Sequence, residues 1–287
     1  MMNRILCPVD FSECSLNAVE FAAKIGAAHQ ASLTLIHVFT EEEFGKTLSS
    51  KKTPDRYKQP TIDDLTKHAE DTLRQLSEEI LRMEGKHGLA DCNYQFTYGP
   101  LNEQIIDYAQ EYRYSMIVMG TTGVKDIFEE YIGSNTAKTI KQAPCPVLCV
   151  PTAANYHIPQ KIMYATDYQQ EDINVLTRLT LFAEPFRARL HVVHMYHSEN
   201  LREQAAYQDF QKQVKDALPQ AQLQFEKRAY KDDVVRSIDQ HAIDQSMDIV
   251  ALLHQRRNFF ERVLEGSTVK DISYFATYPV LVYREAK

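Results

Sequence analysis

The 287-residue chain is long enough for two domains of ordinary size. Its 44% apolar and 25% charged residues are those of an ordinary soluble globular protein, and its net charge of −7 argues against general nucleic-acid binding, which needs a basic surface to neutralise phosphates. No apolar run approaches the length of a membrane span, and the opening MMNRILCPVD reads as a first strand rather than a leader, because Pro8 and Asp10 interrupt it.

Arg4–Val9 is a short apolar run that predicts a buried strand ending at Asp10. Ser12 or Ser15 can cap the helix that follows, whose small and apolar residues recur at helical spacing to about His29. Ser32–Val38 predicts a second strand. Thr40–Pro60 is polar, holds two prolines and reads as a long exposed loop. Apolar residues in steps of three and four from Ile62 to Met83 predict an amphipathic helix, ended by Gly85 and Gly88. Asn93–Thr97 is a third strand, a helix follows Pro100, and Ser115–Met119 is a fourth strand. Ser134–Gln142 predicts a short helix, stopped by Pro144, and Pro146–Val150 a fifth strand. Alternation of this kind argues for a parallel sheet covered by helices on both faces.

The five cysteines (Cys7, Cys14, Cys92, Cys145 and Cys149) are odd in number and follow no framework spacing. They point to a reducing compartment, the cytoplasm, and to small buried residues. Neither a C-x2-C pair nor a Cys/His cluster supports a zinc site.

The most informative stretch is MIVMGTTGVKDIFEEYIGS, Met116–Ser134. It has the spacing G-x2-G-x9-G-S on Gly120, Gly123 and Gly133-Ser134, with a strand before it, ending at Gly120, and a helix after it. Glycine permits positive φ and close approach of a ligand to the backbone. Free N–H groups in such a turn and at a helix start form an anion-binding concavity. Neither a dinucleotide-binding G-x-G-x-x-G nor a G-x4-G-K-[ST] motif is present.

The second half repeats the first. KIMYATD at Lys161–Asp167 aligns with RILCPVD at Arg4–Asp10, and ARLHVVHMY with ASLTLIHVF, so that Asp10 meets Asp167 and His37 meets His194. Further on, MDIV at Met247–Val250 aligns with SMIV at Ser115–Val118, EGS with IGS, and YPVLVY with CPVLCV. This alignment needs one extra residue to keep the fourth strand in step. The join falls near Pro151–Pro159, and the Thr40–Pro60 loop is mostly missing from the repeat.

The glycine motif, the strand-ending aspartate and the closing Ala143–Leu148 segment resemble those of the universal stress protein family, and the repeat resembles its tandem type. The resemblance implies an α/β fold of two tandem doubly wound five-stranded parallel sheets of order 3-2-1-4-5, Rossmann-like and similar to the adenine nucleotide alpha hydrolases. Residues 1–152 would carry the intact nucleotide motif and residues 158–287 a degenerate one. Ligands in open α/β sheets bind beyond the carboxyl ends of strands where the strand order switches, which here lies between strands one and four. By resemblance the cofactor is ATP, with Mg2+. Asp10 faces the nucleoside directly or through a metal, Val38 meets the adenine, and Gly120, Gly123, Gly133, Ser134 and Asn135 hold ribose and phosphates. Asp10 also suits a helix cap, and Val38 a core strand position.

The second half departs from the motif: GTTGVKDIFEEYIGS gives way to LLHQRRNFFERVLEGS, with Leu253 and Arg256 where the two glycines stand. ATP should not bind there in the same way, although His254, Arg256 and Arg257 suit either a smaller anion or a solvated basic loop. His191 and His194, three apart on a strand, face opposite ways and cannot share a metal. No catalytic triad or acid–base carboxylate pair stands out.

The functions implied are an ATP-binding stress-response or regulatory protein, or a nucleotide-free interaction or dimerisation scaffold. An ATP-hydrolysing enzyme, at most a slow one, fits less well. Both fifth strands are apolar edges, which invite pairing, and the resemblance implies a dimer contact through this edge that the two halves should satisfy internally as a pseudo-dimer. A homodimer of whole chains is compatible with the sequence but not demanded by it.

Overall fold

A computed structural model describes residues 2–40, 62–121, 134–198, 200–231, 233–254 and 277–284. The expected loop over Thr40–Pro60 lies almost wholly outside them, as do Gly123, Gly133, Arg256 and Arg257.

In chain order the first half contains β1 (Arg4–Pro8), α1 (Glu13–His29), β2 (Ser32–Phe39), α2 (Ile62–Glu84), β3 (Asp91–Tyr98), α3 (Leu101–Glu111), β4 (Met116–Thr121), α4 (Ser134–Gln142) and β5 (Val147–Pro151). The second contains β6 (Lys161–Ala165), α5 (Gln170–Ala183), β7 (Arg189–Tyr196), α6 (Leu201–Ala217), β8 (Leu223–Ala229), α7 (Val234–Asp244), β9 (Ile249–His254) and β10 (Val280–Arg284). Local chemistry sets the boundaries. Ser12 caps α1 by accepting a hydrogen bond from the Ser15 N–H, and Gln30 closes it in the left-handed region. Gly88, at φ 114, ends the single 3-10 turn that follows α2.

All ten strands form one sheet, ordered β3-β2-β1-β4-β5-β10-β9-β6-β7-β8. Within each half every pairing is parallel, and the order 3-2-1-4-5 is the expected one. The halves join through β5 and β10, which pair antiparallel with Leu281 opposite Leu148, Val280 opposite Cys149 and Val282 opposite Val147. These are each other's counterparts in the repeat, so a pseudo-two-fold axis passes through the leucine pair. The internal pseudo-dimer is therefore built strand to strand, and it covers the two apolar edges.

Alternate residues of the buried strands feed two cores, one on each face of the sheet. Ile5, Cys7 and Val9 join the core under α1, α2, α5 and α6, while Leu6 faces the core under α3, α4 and α7. Cys7, Cys92, Cys145 and Cys149 are buried in these cores, and all five cysteines are free.

The strand registers correct the alignment of the repeat. Ile5 lies opposite Met116, and its counterpart Ile162 lies opposite Ile249. Ser115–Val118 therefore corresponds to Asp248–Ala251, one residue later than the MDIV/SMIV match, and no extra residue is needed. The same spacing holds through β5 and β10, and it places Leu253 at the position of Gly120. The backbone carries the repeat too. The six non-glycine residues with positive φ among the described residues form three corresponding pairs: Phe11 and Tyr168, Gln30 and Arg187, Arg113 and Ser246.

Candidate functional site

Parallel strands bring their carboxyl ends to one edge of the sheet. In the first half a cleft of about 670 Å³ opens there, between the ends of β1 and β4 and the starts of α3 and α4. Asp10, Val38, Gly120 and Asn135, up to 125 positions apart in the chain, all line it. Ser134 is the first residue of α4, as the sequence predicted. Cys14, Thr40, Asn102 and Lys138 also line the cleft, and sequence reading did not single them out. Lys138 brings a cation to it from an ordinary-looking helical position, where no motif advertised it.

Asp10 is not the cap of α1; Ser12 is. The Asp10 carboxylate instead accepts hydrogen bonds from the Ser12 N–H (3.0 Å) and the Ser12 hydroxyl (2.6 Å). Burial pushes its pKa up, but hydrogen bonds from Ser12 and Ser15 outweigh burial and hold it below the usual carboxylate range. An anionic oxygen is thus kept at the cleft. The turn that carries it is fixed from behind by His37, whose Nδ1 lies 2.6 Å from the Val9 carbonyl. A carbonyl can only accept, so Nδ1 carries the proton. His194 makes the same contact with Thr166 at 2.7 Å. The two histidines are fold positions, as their alignment suggested. Val38 is a core strand residue, as expected, and it also borders the cleft.

Gly120 differs from its expected part. The strand does not break there: β4 runs on to Thr121, with Gly120 opposite Val150. A Cβ at Gly120 would come within 2.6 Å of the Cys14 carbonyl carbon, and closer still to its oxygen. The glycine is demanded by the first turn of α1 pressing on β4, whatever a ligand requires. With Leu253 at the corresponding site, the α5 backbone lies farther from β9 than the α1 backbone does from β4, and side chains of α5 and β9 share one core.

The second half has also rewired its aspartate. The counterpart of Ser15 is Asp172, which accepts from the Gln169 N–H, the Thr166 hydroxyl and the Tyr164 hydroxyl. Gln169 stands where Ser12 does, so the N–H that would serve Asp167 goes to Asp172 instead. Asp167 is pushed up by burial, opposed by His194. Asp10 and Asp167 occupy one fold position and shift in opposite directions. His254 is buried as the last residue of β9 and is no part of a solvated basic loop.

The profile of the universal stress protein family matches residues 1–151 and again 159–284. The chain belongs to the universal stress protein family. Its relatives include universal stress protein YxiE of Bacillus subtilis, 26% identical over 150 residues that span 52% of this chain and 99% of that protein. Universal stress protein Sll1654 of Synechocystis is 29% identical over 154 residues, spanning 53% of this chain and 87% of that protein. Among solved structures, a universal stress protein from Archaeoglobus fulgidus superposes over 100% of both chains with a TM-score of 0.75 and 17% identity. The protein PA1789 of Pseudomonas aeruginosa, described as functionally unknown, covers 99% of this chain and 92% of its own at a TM-score of 0.64 and 18% identity. At these identities the two structures bear on the fold, which is that of a tandem universal stress protein.

The residues present suit a nucleotide. The cleft is bordered by Val38, by Asn135 and Thr136 in the first turn of α4, where helix N–H groups lack intrahelical partners, and by Lys138. Among the described residues no group of three His, Cys, Asp or Glu could hold a metal. The described carboxylate residues that border the cleft are Asp10 and Glu103, and a magnesium ion held by one or two carboxylates would take its remaining ligands from phosphates and water. No helix among the described residues is long and apolar enough to cross a membrane.

Proposed function

We propose that the first half of the chain binds ATP with magnesium and that the second half does not, making the protein a nucleotide-responsive regulator of the stress-response type. The observation that carries this reading is the convergence of Asp10, Val38, Gly120 and Asn135 on one cleft at the switch point of the sheet. The glycine motif attached to that cleft, with Gly123, Gly133 and Ser134, supports it from the sequence. In the second half Leu253 fills the position of Gly120, and Asp167 has lost its serine donor, which supports the asymmetry. The nucleotide-free scaffold is the competing reading. It is favoured by the β5–β10 junction, which would serve equally well with the cleft empty.

The two readings separate on the purified chain. The purified chain should release adenine nucleotide on heat denaturation or, if isolated empty, take up added Mg-ATP in its folded form, and Asp10→Ala should weaken that binding. Absence of bound nucleotide together with no uptake by the intact protein would favour the scaffold.

A further inference from the structure

We propose that Asn102 is the positioning residue for the phosphate end of the cleft, acting through α4 and not on the ligand. The inference rests on the ATP reading above. Asn102 sits in the first turn of α3, half-buried, at the cleft wall. Its Nδ2 lies 2.7 Å from the Asn135 carbonyl and 2.9 Å from the Thr139 hydroxyl oxygen. A side-chain amide has two N–H hydrogens, and both are committed here. The Asn102 side-chain amide therefore has no N–H left for a phosphate.

What it holds is the part of α4 that matters. Asn135 and Thr139 are one helical turn apart on the same face, and Asn135 is the second residue of the helix. Two attachment points one turn apart fix both the rotation of α4 about its axis and its position along it. A single bond would fix neither. The first N–H groups of a helix can receive an anion only if they are held at hydrogen-bond distance, and a displacement of about 1 Å forfeits much of the interaction. Thr139 is fully buried, so the anchor is a rigid one.

The second half is an internal control. With α3 and α7, both eleven residues long, aligned end to end, Asn102 corresponds to Val235, and at the spacing that relates β5 to β10 Thr139 corresponds to Ile272. Both partners of the tie are apolar in the half whose cleft position holds Leu253 in place of glycine. Val235 is itself buried inside α7, so the fold accepts valine at this point.

The test is Asn102→Val in the full chain, beside Asn102→Gln, which keeps the amide. Hydrogen exchange of the ligand-free protein reads the tie directly: Asn102→Val should speed exchange at Thr136–Lys141 at least about tenfold, while β1 and β2 stay unchanged. Calorimetric titration reads its purpose. Mg-ATP affinity should fall at least about tenfold, adenosine affinity by less than about twofold, and Asn102→Gln should recover part of the ATP loss. Unchanged exchange in Asn102→Val would refute the tie. Equal losses for ATP and adenosine, or no loss of ATP, would refute the phosphate-positioning role. A wild-type protein that binds neither ligand, with exchange still raised in the variant, would refute the ATP reading and leave Asn102 a structural tie alone.

Discussion

The junction of the halves makes a quantitative prediction. Leu148 and Leu281 are both 0% exposed and lie directly opposite each other on the pseudo-two-fold axis. Truncating either to alanine removes buried apolar atoms and leaves a cavity, which costs about 2–5 kcal/mol. A domain's whole stability is about 5–15 kcal/mol, so each single variant should be visibly weakened yet folded. Because the two side chains share one cross-strand contact, the losses should not add. The double variant should depart from additivity by about 0.5–3 kcal/mol, against at most about 0.5 kcal/mol for sites that do not touch. Urea denaturation of the four proteins of the cycle, followed by far-UV circular dichroism and tyrosine fluorescence, supplies these numbers. One continuous sheet should also melt in a single transition by both probes. Additive losses, or two separate transitions in the wild type, would refute the strand-to-strand junction. Placing a charge there instead, as Leu148→Lys or Leu281→Lys, should cost more than the alanine and promote aggregation.

Other expectations follow from individual sites. Gly120→Ala should destabilise the nucleotide-free protein by about 1–3 kcal/mol, read by thermal melting, because the new methyl meets the Cys14 backbone; an unchanged melting temperature would remove the packing argument. His29, at the end of α1, stacks on Phe182 and meets Phe186 edge-on. Burial there outweighs a backbone hydrogen bond at Phe182 and pushes its pKa down to about 4. A histidine lowered on folding contributes nothing to the pH dependence above about 6.5, and costs stability as pH falls from about 6.5 to about 4, on the order of 3 kcal/mol at the lower end. His29→Phe should flatten that part of the stability curve, measured by urea midpoints at several pH values. Cys14 is half-buried while the other four cysteines are buried, and burial raises its pKa first of all. A thiol reagent should label Cys14 before the others and only slowly at neutral pH, with Mg-ATP slowing it further, as mapped by mass spectrometry. ATP turnover should be slow or absent, far below the ordinary enzyme value of about 10 per second; a rate of that order would expose a catalytic group in the cleft.

Much of this architecture was legible because the signals were local or repeated. Ser12, the step-three-and-four pattern from Ile62 and the run Ser134–Gln142 each announce an element through neighbours in sequence. The apolar edges and the family resemblance point to the pairing of the fifth strands, and the duplication allows it within one chain. What escaped depends on contacts between distant segments. Gly120 reads as a strand-breaking glycine, yet it is a strand residue whose missing Cβ makes room for Cys14, more than a hundred positions earlier. The one-residue error in aligning Ser115–Val118 arose because MDIV and SMIV match by letter, whereas hydrogen-bond register follows β1 and β6. Asp10 suits a cap as well as the ligand position the resemblance implies, and it is the hydrogen bonds it accepts from Ser12, itself the cap, that decide against the cap. Asn102 carries no motif at all, since its role appears only when α3 and α4 are side by side.

The central claim is that, of the two halves, only the first holds the nucleotide. Calorimetric titration of the full chain with Mg-ATP tests it most directly. The account predicts one ATP per chain, binding lost in Gly123→Val and Gly133→Val, and binding retained in Gly266→Val. Two ATP per chain, or equal losses from variants in both halves, would contradict it.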